Sequence, residues 1–416
     1  MPNTDWKKYP VLFNLYIAQA VPMSFFTTVV PVIMRQENYS LEAIGMLQLV
    51  KLPWVLKFLW APIVDNNTSS LGHFKRWIYV SEFFYAGIIL AIGFFSLQVN
   101  FSLIVVLMLL AVIASATQDI ATDAFAIHIL KKKERGYGNS MQSAGGFAGH
   151  LIGSGVLLVV YYYLGWFFLL FFLAVFVLLA LIPLAFYRKA CDKPVVHGVR
   201  VNLADITGFF RVPGMYKWII ILFFYYSGLM GIMAMLKPYL VDLNYNAKDI
   251  GLMAGIFGTG IALVASIFAG FIVKKIGYAK SLRYFLGLSL LAGIYFYVMS
   301  ISGEPTTVAV YAGIFLLWLA YGASMVAVYT AAMDMVRPGR EGTDFTLQIV
   351  ITHLSGLVLG VMSGKFADSF GYDGLFLTQA LLSIVAFGLL MLLKPDLLRK
   401  HVENEVSENV EPKAKC

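Results

Sequence analysis

The sequence predicts an all-α, polytopic membrane protein with twelve transmembrane helices in two six-helix bundles. Three observations carry that expectation. Of 416 residues, 60% are hydrophobic and only 13% charged, with a mean hydropathy of +0.78, well outside the range of soluble domains. Apolar runs of roughly 20 residues, the length needed to cross about 30 Å of hydrocarbon, recur twelve times. Lys and Arg are segregated: with alternate loops placed on one side, 25 of the 31 fall with both termini and three (Arg35, Lys248, Lys365) fall opposite, leaving Lys51, Lys57 and Lys237 inside spans. The positive-inside rule makes the basic side cytoplasmic. The net charge of +8 therefore reports topology and gives no ground for a nucleic-acid partner.

The first six runs cover 11–34, 41–62, 77–97, 101–130, 138–163 and 164–187, and the second six cover 216–241, 248–274, 281–301, 306–333, 342–366 and 371–394. The start, MPNTDWKKYP, lacks the basic head, short apolar core and cleavage site of a secretory signal, so the first run is expected to remain as a helix. The longest polar interruption divides the chain into a bundle at 1–187, a cytoplasmic linker at 188–215 and a bundle at 216–394. The tail at 395–416 is read as a disordered cytoplasmic end. Cys191 and Cys416 lie outside the spans, which predicts neither a disulfide framework nor a metal cluster.

An internal repeat supports the two bundles. A shift of 206 residues aligns SLEAIGMLQ at 40–48 with NAKDIGLMA at 246–254, and ERGYGNSMQ at 134–142 with REGTDFTLQ at 340–348. It pairs Gly45 with Gly251, Gly136 with Gly342, and Gln142 with Gln348. Parallel six-helix repeats are the plan of the major facilitator superfamily, in which substrate binds near the midplane. Gly145, Gly149 and Gly153 in the fifth run, and Gly258, Ala262, Ser266 and Gly270 in the eighth, recur every four residues. Small residues at that spacing let helix backbones approach closely.

The chemistry is expected in QDIATDAF, 118–125. Asp119 and Asp123 stand four residues apart and share one helical face. Burial and mutual repulsion make a shared, exchangeable proton plausible chemistry for such a pair, and intramembrane carboxylates are frequent members of proton relays. Counting 1.5 Å per residue from the helix ends puts Lys57 level with Asp123 and Lys51 level with Asp119. The expected structural pair is then Lys57 with Asp123, leaving Asp119 as the proton or substrate site. The shift of 206 places these charges opposite Phe257, Leu263, Met325 and Tyr329, so the charged column belongs to the first half alone.

His150 and His353 lie near the centres of the fifth and eleventh runs, where hydrogen-bonded structural roles are expected. Lys237 lies near the outer end of the seventh run, placed either to snorkel or to attract an anionic substrate. Glu82 is expected to form an interfacial pair with Lys75 and Arg76. The first, fourth, seventh and tenth helices would line the cavity of this architecture. They supply Tyr16, Gln19, Gln118, Tyr225, Tyr226, Trp318, Tyr321 and Tyr329, rings and amides that suit a sugar.

LPWVLKFLWAPIVD at 52–65, SATQDIATDAF at 115–125 and the following ERG at 134–136 resemble the AmpG-like muropeptide permeases, a major facilitator branch related to the acetyl-coenzyme A transporters. Weaker similarity covers the whole core, including DFTLQIVITHLSG at 344–356. The resemblance implies proton-driven import of N-acetylglucosaminyl-1,6-anhydro-N-acetylmuramic acid and its peptide derivatives across a bacterial inner membrane, with no cofactor. It places Lys57 and Asp65 in the helix 2 motif and Gln118, Asp119 and Asp123 in the helix 4 motif. Asp65 would act on conformation, capping a helix end or pairing with a cytoplasmic Arg. Lys51 has no counterpart in that pattern, and Asn66 stands where the family usually has Arg. Another amphiphilic anion, such as an acyl-coenzyme A or a sugar conjugate, and export instead of import, stay open. The remaining expected partners are protons and membrane lipids, with the chain as a monomer. The sequence has no metal-ligand spacing, no G-x-S-x-G and no GKT or GKS phosphate loop, which argues against an enzyme and against direct ATP drive.

Overall fold

A computed structural model describes residues 6–37, 47–187 and 201–393, and among these there are helices and no strand. The linker from 188 to 200, the tail beyond 393 and the Gly45 end of the repeat lie outside the described residues. In chain order the helices are α1 (Lys8–Ser24), α2 (Val30–Gln36), α3 (Leu52–Leu56), α4 (Ala61–Asn66), α5 (Leu71–Ile92), α6 (Leu97–Ile129), α7 (Arg135–Leu151), α8 (Leu157–Leu179), α9 (Ile182–Phe186), α10 (Leu203–Arg211), α11 (Met215–Tyr225), α12 (Ser227–Asp242), α13 (Ala247–Ile250), α14 (Gly258–Ile276), α15 (Tyr278–Ile301), α16 (Thr307–Asp334) and α17 (Glu341–Leu393).

Eight helical stretches among the described residues are long and apolar enough to cross a membrane. The count falls below twelve for identifiable reasons. α17 holds two of the expected spans, joined at Gly371 with φ of 70°. Gly165, φ 74°, marks the corresponding break inside α8, where the fifth span gives way to the sixth. Both glycines stand where the sequence places a boundary, because the left-handed conformation that turns the chain is open to Gly at little cost. The second span is wound in pieces: a 3₁₀ turn at Leu47–Lys51, then α3, a 3₁₀ turn at Lys57–Leu59, and α4. Pro53 and Pro62 each occupy the first turn of an α piece, where a missing N–H is tolerated. α5 is 22 residues long but carries Lys75, Arg76 and Glu82. α7 continues through a π-helical stretch at Ile152–Val156.

The chain divides into two compact units, the first made of residues 1–131, 141–201 and 339–346, the second of 132–140, 202–338 and 347–416. In the first unit the core is built from Phe25, Phe26 and Val29 after α1, Ile88, Ile89 and Ile92 of α5, Ile104, Met108 and Val112 of α6, and Leu169, Leu170 and Leu173 of α8. The small-residue face of α7 approaches another backbone closely, as its spacing predicts, and the helix it meets is α1: a Cβ on Gly145 would stand 2.7 Å from the Phe13 carbonyl oxygen, and one on Gly149 would stand 3.1 Å from the Val21 nitrogen. Pro22 interrupts the backbone ladder of α1 just before it widens into a π-helical stretch at Phe25–Val29. In the second unit the α14 stripe meets Trp318 and Gly322 of α16 and the start of α7, where Ser140 Oγ donates to the Ser266 carbonyl at 2.7 Å.

Candidate functional site

The first unit contains a buried polar core around α6. Lys57 Nζ pairs with Asp119 Oδ2, and the same ammonium lies 4.6 Å from the centre of the Trp54 ring. Asp123 accepts from the Tyr16 hydroxyl at 2.6 Å and from Gln142 Nε2 at 3.1 Å, both on Oδ1. Gln19 Nε2 donates to Gln118 Oε1, while Gln118 Nε2 has no hydrogen-bond partner. Lys57, Gln118, Asp119 and Asp123 are all buried, Asp119 being 4% exposed. Four elements thus supply one cluster: α1 brings Tyr16 and Gln19, the broken second span brings Lys57, α6 brings the carboxylates and Gln118, and α7 brings Gln142.

The pairing differs from the sequence expectation. Lys57 takes Asp119 as its counter-ion, and Asp123 is bound by neutral donors. The expectation assumed a uniform α-helical rise along the second span. Its 3₁₀ turns advance about 2.0 Å per residue with three residues per turn, which changes both the level and the direction of Lys57. Lys51, at the end of the first 3₁₀ turn, is exposed. His150 is exposed too.

In the second unit, the expected aromatic residues gather between the seventh and tenth helices. Tyr225 and Tyr226 have ring centres 5.3 Å apart, Tyr226 and Tyr321 5.9 Å, and Trp318 and Tyr321 6.0 Å. The chain breaks at Tyr226, between α11 and α12. Its buried hydroxyl has no hydrogen-bond partner, nor has Trp318 Nε1. Tyr225 is anchored otherwise, donating to the Leu282 carbonyl at 3.0 Å. Tyr329 is buried. Lys237 and His353 are exposed.

The repeat-related glutamines do equivalent things. Gln142 reaches Asp123 on the fourth span, and Gln348 Nε2 donates to the Ala332 carbonyl on the tenth at 3.1 Å while its Oε1 accepts from Trp218 Nε1 at 2.6 Å. At the end of α4, Asp65 accepts from the backbone N–H groups of Gly342 (3.0 Å) and Thr343 (2.8 Å) and from the Thr343 hydroxyl (2.6 Å). It thereby caps the first turn of α17, which belongs to the first unit. Burial pushes the Asp65 carboxyl up to about 7, against the downward pull of the Thr343 and Gly342 hydrogen bonds. In the second unit, Arg135 donates to the Met333 carbonyl at 2.6 Å and pairs with Asp334.

Two residues stand out that sequence reasoning passes over. Glu82 is buried, with neither carboxyl oxygen hydrogen-bonded. It is therefore no interfacial partner of Lys75, which instead donates to the Leu184 and Tyr187 carbonyls. Gln379 is buried beneath Gly231, with its Oε1 unpartnered. A Glu so close to the lysine and arginine of its own helix reads as a surface residue, and a single Gln carries no spacing signal.

Similarity to known proteins agrees with this architecture. Residues 12–359 match the model of the Major Facilitator Superfamily. A putative transporter AmpG 1 of Rickettsia bellii is 25% identical over 384 residues, covering 87% of this chain and 91% of that protein. The anhydromuropeptide permease of Escherichia coli K12 is 22% identical over 408 residues, covering 97% and 83%. Among solved structures, a bacterial homologue of the iron transporter ferroportin in an outward-facing state superposes with a TM-score of 0.72 at 17% identity, covering 93% of this chain and 99% of that one. The Escherichia coli fucose:proton symporter gives 0.70 at 13%, covering 93% and 98%. With its family model spanning most of the residues, and with helices of membrane-crossing length repeated through both halves, this multi-pass membrane transporter belongs to the major facilitator superfamily.

Proposed function

We propose that the chain is a proton-coupled importer of anhydromuropeptides, taking up N-acetylglucosaminyl-1,6-anhydro-N-acetylmuramic acid and its peptide derivatives for cell-wall recycling. It would act in a bacterial inner membrane with both termini cytoplasmic. The observation that carries the coupling is the charge balance of the α6 cluster, in which two buried carboxyls share one lysine. Lys57 neutralises only one of them. A net charge in hydrocarbon costs several kcal/mol, so the cluster reaches neutrality by taking up one proton. Asp123, held by a hydroxyl and an amide that serve an acid or its anion, is the carboxyl without a cation of its own. Loss of that proton would change the partner demands of Lys57, Tyr16 and Gln142 together, and those three lie on three different helices.

The cargo reading rests on the aromatic group of Tyr226, Trp318 and Tyr321, in which the Tyr226 hydroxyl and Trp318 Nε1 have no hydrogen-bond partner, an arrangement that suits sugar rings. It rests also on the exposed Lys51 and His150, which suit a carboxylate. The relatives named AmpG and anhydromuropeptide permease support the same cargo. Asp65 would act on conformation through its hold on the first turn of α17, and the two six-helix halves at 1–187 and 216–394 would be the moving parts. The test is uptake into proteoliposomes under an imposed proton gradient, with purified anhydromuropeptide offered beside an acyl-coenzyme A and an unrelated sugar. Accumulation of the anhydromuropeptide alone, abolished by a protonophore, is the expected result. Gradient-independent uptake, or preference for the acyl-coenzyme A, would overturn the reading.

A further inference from the structure

Glu82 is a buried acid that the cluster described above leaves unused. It lies 11 residues into α5, and neither carboxyl oxygen meets a donor. Tyr85 lies one turn along the same helix and is also fully buried. It is close enough to feel both the Glu82 carboxyl and the Ser115 hydroxyl, yet neither hydroxyl completes a hydrogen bond. Ser115 belongs to α6, and four residues further along the same face stands Asp119 with its lysine. The facing stretch of α8, from Leu169 to Val177, contributes only apolar side chains. The polar groups placed on the carboxyl's side are Tyr79 and Tyr85, one turn either way on the same helix, Ser115 on the next, and the Lys57–Asp119 pair one turn beyond.

An uncompensated carboxylate in such a place is costly enough that the neutral acid forms instead. We propose that Glu82 is a second proton-holding site of this transporter, exchanging its proton with the Lys57–Asp119 pair through the Tyr85 and Ser115 hydroxyls. The inference rests on the proton-coupled reading above and extends it. The transfer balances: Glu82 gives up its O–H proton, each hydroxyl accepts one proton on its oxygen and releases its own, and Asp119 gains one. Where Asp123 has already released its own proton, the Lys57 ammonium is then free to serve that carboxylate, and the cluster stays neutral. The anion left on Glu82 has no counter-charge, so the state is short-lived and the acid is restored through the same hydroxyls. Glu82 thus acts as a reserve that keeps the α6 cluster supplied while it is shut off from water.

Infrared spectroscopy of the purified full chain decides whether the proton is there. The carbonyl stretch of protonated carboxylic acids should lose one component in Glu82→Gln, the component of the α6 cluster remaining, and should keep both in Tyr85→Phe. Exchange of the Glu82 component in deuterium oxide should slow at least about tenfold in Tyr85→Phe, because the hydroxyl chain is cut. In proteoliposomes, Glu82→Gln should keep counterflow of N-acetylglucosaminyl-1,6-anhydro-N-acetylmuramic acid, lose about tenfold in gradient-driven accumulation, and shift the pH profile; Glu82→Asp should restore part of each. Loss of no acid band in Glu82→Gln overturns the proposal, and so does unaltered accumulation with an unaltered pH profile. If Glu82→Gln fails to fold, Tyr85→Phe decides, and unchanged deuterium exchange there overturns it. Should the wild type fail to accumulate this cargo under a proton gradient, the functional reading falls, while the band and its exchange still decide whether Glu82 holds a proton that moves through Tyr85.

Discussion

Replacing Lys57 by Met tests which carboxyl the lysine serves and what the cluster does without it. The ammonium is buried and paired with Asp119, so the variant leaves two buried carboxyls and no cation. Each can escape ionisation by binding a proton. At pH 7 protonation costs about 1.36 kcal/mol per unit above a reference of about 3.9, or about 4 kcal/mol for the second acid. That agrees with the roughly 3–5 kcal/mol lost when one partner of a buried pair is removed. At pH 5 the same acid costs only about 1.5 kcal/mol. Asp119→Asn should be milder, about 1–2 kcal/mol, because Lys57 also acts on Asp123 and can turn to it. Combining the two substitutions should recover at least about 2 kcal/mol of the Lys57→Met loss. Thermal unfolding of the purified protein at pH 7 and pH 5 measures all three. A Lys57→Met loss that does not shrink at pH 5, or a rescue larger with Asp123→Asn than with Asp119→Asn, would refute the pairing and the charge balance drawn from it.

Asp119→Asn should also insert normally yet fail to accumulate substrate against a gradient, since Lys57 would then hold Asp123 as an anion; accumulation with an unchanged pH dependence would contradict this. Asp65 has a folded value of about 7, above the unfolded value near 4. Its favourable contribution is complete below pH 4 and is lost as pH rises through 7. The unfolding midpoint should fall between pH 5 and pH 8, and Asp65→Asn should flatten that fall. Gly149→Leu should lower the folded yield sharply, because α1 backbone occupies the space its side chain would need. Gly146→Ala on the same helix meets nothing within 4 Å and should be neutral or stabilising by up to about 1 kcal/mol. Tyr226→Phe removes a hydroxyl that has no partner, so stability should hold while cargo affinity drops about tenfold.

The fold was legible because hydrocarbon imposes a strong constraint: backbone groups must be satisfied within each span, so length and apolarity locate helices. The boundaries at Gly165 and Gly371 follow from the apolar runs, and the close-packing glycine face of α7 from its spacing, while its partner α1 is visible only in the packing. The site was only partly legible. Asp119 and Asp123 announce themselves as charges in hydrocarbon, but their partners depend on how the second span is wound, and the 3₁₀ turns flanking α3 are not written in any periodicity. Glu82 failed for the opposite reason. It sits among residues that supply a plausible surface pair, and only packing against α6 and α8 removes it from water. Gln379 is recognisable solely through its contact with Gly231.

The duplicated halves offer a control that no single residue could. Gln142 and Gln348 occupy equivalent positions, and each donates to the fourth helix of its own half. The acceptor is Asp123 in one case and a backbone carbonyl in the other, with Tyr329 standing where the acid would be. A scaffold that needed the acid for packing would need it twice, yet the second half holds its glutamine with Trp218 and Ala332. On the proposed function the acid is therefore present for its proton. The consequence can be measured: Gln142→Leu should disturb coupling and shift the pH profile of uptake, because it strips a donor from Asp123. Gln348→Leu should lower stability by about 1–3 kcal/mol, leaving the Trp218 N–H unpaired, and should leave the pH profile where it was. Equal pH shifts in the two variants would mean that the glutamines are structural alike, and the argument from asymmetry would fail.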